Sequence, residues 1–444
     1  MHWPGVEEAA MKNVLKNFAV LLVLLAALVV WTLLPWAGVL AVVVLLALWL
    51  WLTRSGRLAR EATRIGIASL PQRWGASSVI IVGIAGVVGV LVAMLAMGEG
   101  FQATLQAAGN DETAIVLRGG SQAETNSVIS RSQVPLIAAL PGVQRDADGR
   151  PLLSAELSQV VNLPTRADGT DANVQFRGIG EDAWQVREGV RIIEGRKPTT
   201  GLRELAAGRG AQSQFQGLEV GNLLMLGNQE WSVVGVFASD DAYESELWGD
   251  AQTLATTYNR GAYQSVLVRT GAEGFESFKA AVEADPQLKL DVLTTRAYFA
   301  QQSGGLKTLL TALGTVIGGI MAVGAIFGAL NTMYAAVATR AREIATMRAI
   351  GFRGTPVVTA VMLETMLLAL LGGLLGGLVA WLLFNNYSVS TLGSNFSQVV
   401  FQFKVTPALL WTGLKWALGI GLLGGLFPAL RAARLPITVA LREV

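Results

Sequence analysis
Long, nearly uninterrupted apolar runs occupy both ends of the chain, whereas the middle carries short apolar segments that alternate with polar residues. Residues 18–34 and 37–52, parted by Pro35 and Trp36, lie near the lower length limit for a bilayer-crossing helix, about 20 residues, and read as a helical hairpin. A cleaved leader competes for the first run, since Lys12 and Lys16 precede it. Against that, a second run follows at once, and Trp31, Trp36, Trp49 and Trp51 sit where interfacial anchors belong. Further spans are expected at residues 78–97, 308–334, 356–383 and 406–430, six in all. Lys415 interrupts the last, so either its stem snorkels or that level of the helix faces protein or water. Between the fourth and fifth runs, residues 331–354 place Arg340, Arg342, Glu343, Arg348 and Arg353 within a few turns, which marks a return through the aqueous interface.

The middle of the chain has the rhythm of a soluble α+β domain. Residues 132–140 predict a short helix stopped by Pro141-Gly142, and residues 174–176, 190–193, 265–268 and 288–292 predict strands. Residues 224–226 and 231–236 bracket Gly227-Asn228 as a hairpin, and Phe275, Phe278 and Val282 mark one face of a helix. Residues 199–216, rich in Gly, Ala and Gln, are expected to be a flexible insertion. Ahead of the third span, Leu58, Ile65, Ile67 and Leu70 mixed with Arg57, Arg60 and Arg64 predict an interfacial helix, with a solvated basic linker as the alternative; Pro71 turns the chain.

Composition places this pattern in a membrane: 52% of the 444 residues are hydrophobic, 15% are charged, and the mean hydropathy is +0.48. The net charge of +2 hides a division. Residues 101–304 hold 17 basic and 25 acidic side chains, net −8, and the rest of the chain is net +10. The basic groups at 54–73, 340–353 and 431–442 assign those three connections to the cytoplasm, and with six alternating spans both termini as well. The large domain then faces outward. The expected fold is an α-helical membrane protein with six transmembrane helices and an inserted extracytoplasmic α+β domain. It divides into an N-terminal hairpin (1–55), an interfacial helix (56–76), a third span (77–100), the outward domain (101–304) and a three-span core with coupling helix and basic tail (305–444).

Candidate chemistry is sparse. There is no Cys and a single His, His2, which excludes disulfide and thiolate chemistry and argues against a histidine-held metal. Asp240, Asp241, Glu244 and Glu246 lack calcium-loop spacing and read as an exposed acidic turn. Ser121, Ser127 and Ser130 have no His to activate them. Trp184, Trp231 and Trp248 read as core aromatics, with a ligand surface as the alternative. Glu364 in the fifth span must face a helix, a watery recess or the interface, where Arg353 could pair with it. Gly324 and Gly328, and the ridge Gly372, Gly373, Gly376 and Gly377, allow close helix packing within or between subunits. No GxxxxGK[ST] phosphate loop occurs, so ATP-driven work requires a separate ATPase carrying ATP and Mg, and this chain binds no cofactor itself. On residues 340–351, Ile344 and Met347 form an apolar strip for a partner groove, Arg340 and Glu343 meet its polar rim, and Gly351 stops the helix; an interfacial loop whose Arg340, Arg342 and Arg348 serve only as positive-inside charges is the alternative.

Three strings then resemble one family. TRAREIATMRAIG at 339–351, followed by Glu364 and LLGGLLGG at 370–377, is the strongest, and FPALRAARLPITVALRE near the C-terminus, with Arg431, Arg434 and Arg442, is the second. LPGV at 140–143, EGR at 194–196 and VGNLLMLGNQEWSVVGVF at 220–237 are the third. In that order they resemble the MacB/FtsX-like, or type VII, ABC transporter permeases, which include lipoprotein-releasing permeases. The resemblance implies a non-enzymatic permease in the bacterial inner membrane, with residues 340–351 as a coupling helix on a cytoplasmic ABC ATPase. It implies a second permease subunit, identical or related, and leaves room for a periplasmic adaptor or envelope protein; nucleic acid has no place in it. Activation of a cell-envelope hydrolase and ion-coupled transport are the alternatives. The hairpin at 18–52 departs from the family's usual four-helix pattern.

Overall fold
A computed structural model describes Val23, residues 26–393 and residues 396–434, and the chain divides into two compact units. The first unit takes the described residues of Met1–Met97, Leu310–Asn385 and Lys404–Val444; the second is Gly98–Leu309 with Asn386–Phe403.

The first unit opens with α1 (Ala26–Leu33), α2 (Trp36–Leu52) and α3 (Arg54–Ala68). The long helices that follow are α4 (Trp74–Ala107) and α5 (Thr295–Thr339), then the short α6 (Ala341–Ala349), then α7 (Gly354–Phe384) and α8 (Pro407–Arg434). Among the described residues, α4, α5, α7 and α8 are the single helices long and apolar enough to cross a membrane, so the expectation of six spans is wrong. The error lies in the N-terminal hairpin. α1 and α2 meet at a 99° bend and add at most one broken span, for a total of five. Pro35 at that bend lacks an N–H and disfavours helical backbone in the residue before it. The 17 residues of α2 rise only about 26 Å, short of the ~30 Å hydrocarbon core. Lys12, Lys16 and the start of the first run lie outside the described residues, as does the N-terminus assigned to the cytoplasm. With four spans the basic connections 54–73 and 340–353 and the end of α8 still share one side of the membrane.

The second unit is α+β. Its main-sheet strands are β1 (Thr113–Arg118), β2 (Leu153–Pro164), β3 (Asp171–Ile179), β4 (Arg191–Gly195), β5 (Glu204–Gly208), β6 (Leu223–Leu226), β7 (Gln229–Ala238), β8 (Glu246–Asp250), β9 (Ser265–Arg269) and β10 (Leu290–Thr294). They form one sheet in the order β10-β1-β9-β2-β3-β8-β5-β7-β4, with β6 also paired to β7. Gly227 and Asn228 turn β6 into β7 at φ 58° and 59°, the positive values a two-residue hairpin requires. Residues 199–216 are not a loose insertion. They supply β5 and the helix Arg209–Gln214, because Leu205, Ala206, Ala207 and Ala211 are fully buried. Trp231 and Trp248 are core residues, Trp231 edge-on to Phe176 at 4.8 Å and Trp248 against Phe237 at 4.5 Å. A last hairpin, β11 (Ser388–Leu392) and β12 (Gln398–Gln402), joins this unit through Val400 N–H donating to Ser245 Oγ (2.8 Å) and Phe401 meeting Phe101 at 5.5 Å.

Candidate coupling site
The site begins at α3. Thr53 caps it, its Oγ1 accepting from Gly56 N–H at 2.9 Å, and Gly56, Ala59, Ala62, Thr63 and Gly66 form a buried face of small residues at helical spacing. The opposite face carries Arg57, Glu61 and Arg64, as an interfacial helix should. At Gly66 the packing is tight: a Cβ there would lie 2.9 Å from Glu364 Oε2.

Glu364, on α7, is 3% exposed and meets two arginines from separate turns. Arg73, in the 3-10 turn Pro71–Arg73 before α4, donates from Nη2 to Oε1 at 2.7 Å; Arg340, between α5 and α6, donates from Nη1 to Oε2 at 3.2 Å. Arg340 Nε also reaches Glu343 Oε2 in the first turn of α6, at 3.0 Å. A carboxylate this deep is costly to leave without a partner, and the two arginines supply its partners. The partner anticipated from sequence, Arg353, is replaced by these two.

α6 carries Glu343 in its first turn and Arg348 in its last, the polarity its dipole favours. It ends where Gly351 adopts φ +108°, with Phe352 N–H donating to Met347 O. Ile344 and Ala345 are buried, and Met347 packs beside Ile344 against the core of the first unit. The apolar strip therefore faces the bundle rather than a partner. The outer face presents Arg342, Glu343, Thr346 and Ile350, the last 72% exposed.

The glycine ridge is used on both sides. A Cβ at Gly376 would lie 2.4 Å from Ala85 O and one at Gly372 2.8 Å from Ile81 O, both on α4; Gly373 and Gly377 face Ala417 and Leu410 on α8. Gly324 and Gly328 meet nothing within 4 Å of such a Cβ among the described residues. Lys415 is explained by the broken helix: its Nζ donates to Thr32 O (2.7 Å) and Leu34 O (3.3 Å), carbonyls at the end of α1, while Trp31 Nε1 donates to Lys415 O (2.7 Å). Arg431 lies over the Tyr334 ring at 5.4 Å, Arg434 is exposed, and Arg442 falls outside the described residues.

In the second unit the predicted acidic turn is split. Asp240 and Glu244 pair with Arg209 at the surface, but Glu246 is buried on Arg177. Arg177 donates from Nε to Glu246, from Nη1 to Glu124 and Glu156, and from Nη2 to Glu124 and Glu246, all at 2.7–3.0 Å. Arg187 holds Glu156 through both terminal nitrogens. Burial would lower Arg177, yet Glu124 and Glu246 raise it well above the usual guanidinium range. Burial would raise Glu156, and Arg187 and Arg177 overcome it to hold the carboxyl below its usual value. Ser127 Oγ accepts from Arg118 N–H, and no grouping fit for a metal occurs among the described residues. Sequence reasoning counted Arg73 only as a topological charge and missed Gly66 and the Arg177 cluster. Glu364 is 291 positions from Arg73, so only the fold reveals their pairing.

Residues 77–285 match the MacB-like periplasmic core domain and residues 315–437 the FtsX-like permease C-terminal family. The chain is 27% identical over 414 residues to a macrolide export ATP-binding/permease protein MacB of Azoarcus sp. (strain BH72), covering 86% of this chain and 59% of that protein. It is 25% identical over 424 residues to the MacB of Hyphomonas neptunium, covering 86% and 60%. It thus spans about three-fifths of the length of these curated relatives. Among solved structures, the extracellular domain of the noncanonic ABC-type transporter YknZ aligns at 18% identity and a TM-score of 0.32, over 41% of this chain and all of that one. The periplasmic region of MacB from Actinobacillus actinomycetemcomitans aligns at 13% and 0.33, over 44% and 92%. With these two family matches in chain order, the second containing Arg340, α6 and Glu364, this chain belongs to the MacB/FtsX-like family of ABC transporter permeases.

Proposed function
We propose that this chain is a permease subunit in which ATP hydrolysis by a cytoplasmic ATPase, supplied from outside these 444 residues, moves the large extracytoplasmic domain to export or extract cargo. The observation that carries the reading is the two-sidedness of α6. Ile344 and Met347 fix it to the bundle, while Arg342, Glu343, Thr346 and Ile350 are turned to solvent for a partner. In this reading Arg340 and Arg348 complete force transfer at the two ends of α6, Gly351 frees the chain to turn, and ATP and Mg reside on the ATPase. A second permease subunit is supported by α5, where Gly324 and Gly328 have no close neighbours among the described residues and Ile317, Ile320 and Phe327 are exposed. The relatives' names join ATP binding and permease in one protein. That pairing is carried over here as a partnership.

The test is copurification from native membranes with a nucleotide-hydrolysing subunit, and its loss in a Glu343→Ala, Ile350→Asp variant that still inserts. Wild-type chain that brings down no ATPase activity, or a variant that retains full permease-stimulated hydrolysis, overturns the docking assignment. Reconstituted complex that activates a bound envelope hydrolase without releasing cargo favours the signalling alternative.

A further inference from the structure
We propose that Glu364 is a hand-over point between two arginines, and that Arg73 is the positioning residue that lets the coupling helix move; this rests on reading α6 as the ATPase-docking element. Arg340 is divided between Glu364 and Glu343, its longer contact, 3.2 Å, being the one to α7. Any displacement of α6 that carries Glu343 along pulls Arg340 off Glu364. The carboxylate left behind is 3% exposed, and a buried charge stripped of its partner opposes the motion that strips it.

Arg73 removes that obstacle. It holds Glu364 through Nη2 alone, sharing the same nitrogen with Ser69 Oγ at 3.0 Å, and its Nε is buried with no acceptor among the described residues. A guanidinium engages a carboxylate best through two parallel donors. Arg73 therefore has, on the guanidinium that already holds Glu364 Oε1, a second donor with no acceptor among the described residues. Gly66 leaves the space: with no Cβ, α3 lies against Glu364 Oε2 without blocking a second guanidinium contact. As Arg340 leaves with α6, Arg73 turns to take both oxygens, and Glu364 is never without a cation.

The experiment compares Arg73→Lys, which keeps the charge and loses the fork, Arg73→Gln, and Arg73→Gln with Glu364→Gln, in which no buried anion remains to be stranded. Binding of the ATPase is expected in all three. Permease-stimulated hydrolysis falls about 10-fold in Arg73→Lys, further in Arg73→Gln, and returns to within about 3-fold of wild type in the double variant. Hydrogen exchange of residues 341–350 in the purified chain without ATPase slows about 10-fold in Arg73→Gln, because Arg340 is pinned, and recovers in the double variant. Wild-type stimulation and exchange in Arg73→Lys, or a double variant no better than Arg73→Gln, overturns the hand-over. If no ATPase binds the wild-type chain, the docking reading fails, and the exchange measurement still decides the role of Arg73.

Discussion

Arg177 in the second unit spends all five of its N–H donors on three carboxylates, whereas the Nε of Arg73 in the first has no acceptor among the described residues. The chemistry is the same and the supports differ. Arg177, Glu156 and Glu246 sit on β3, β2 and β8, neighbours whose register is fixed along the sheet. Ser154 Oγ, Ser265 Oγ and Trp248 Nε1 each donate a further hydrogen bond to one of these carboxylates. Arg73 and Arg340 hang instead on short turns between helices, where a backbone adjustment of a few degrees moves the whole side chain. A closed network fixes one arrangement; an open one allows a second.

The largest effect tests the closed network. Arg177→Met leaves Glu124, Glu156 and Glu246 facing one another with only Arg187 nearby, and the expected loss is about 3–5 kcal/mol. Denaturant unfolding of the purified chain, followed through the buried Trp231 and Trp248, reads it. A loss below about 1 kcal/mol would mean that the cluster is looser than its geometry and would dissolve the contrast with Glu364.

The next effect is a pH dependence with two signs. Burial pushes the Asp241 carboxyl up to about 7, against hydrogen bonds from Ser239 Oγ and Tyr243 N–H that favour its ionised form. Folded chain then keeps a proton that unfolded chain, near 3.8, releases. Stability from this group is full below that unfolded value and falls as pH rises toward 7, by up to about 1.4 kcal/mol per unit. Glu156 acts oppositely: its carboxyl is held below 4.5, so its contribution is present above that value and lost as pH falls further. Asp241→Asn should flatten the unfolding profile between pH 5 and 7 and leave the acid limb in place. An unchanged slope would show that Asp241 is ionised in the folded state.

What the sequence carried was whatever is decided locally. Gly227-Asn228 announced its hairpin because positive φ is a property of those two residues, and the polar break at 340–351 announced a helix because its charges and its glycine lie within three turns. Hydropathy miscounted the spans because it measures apolar length and not direction; one proline turned two runs into a bent pair. Periodicity found the Ile344 and Met347 stripe but could not say what covers it, and the bundle does. The ionic clusters were illegible since their members come from distant turns and strands, and an arginine near a membrane looks the same whether it serves topology or a buried carboxylate.

Lys415 lies between the two extremes. It is a partly buried cation whose partners are backbone carbonyls freed at the Pro35 break, so Lys415→Met costs two hydrogen bonds and strands no opposite charge. The expected loss is about 1–2 kcal/mol, confined to the seat of α1 on α8. Cysteine labelling at position 32 should accelerate while unfolding of the second unit stays unchanged. If the second unit is also destabilised, α1 is integral to the fold and not an attachment to the family core.

The smallest effect on stability, set beside a large effect on coupling, separates the two regions most sharply. Arg340→Met removes one of the two cations from Glu364, the operation that in the Arg177 cluster is costly. Here Arg73 remains at 2.7 Å with a free Nε, so the carboxylate stays paired and the loss should not exceed about 1 kcal/mol. Stimulated hydrolysis should nonetheless collapse, because α6 loses the Arg340–Glu343 pair at its first turn, which the double variant keeps. Unfolding and ATPase assays on the same preparation give both numbers. A loss near that of Arg177→Met would make the membrane cluster as closed as the other, and a joint that rigid has no second arrangement to pass motion through.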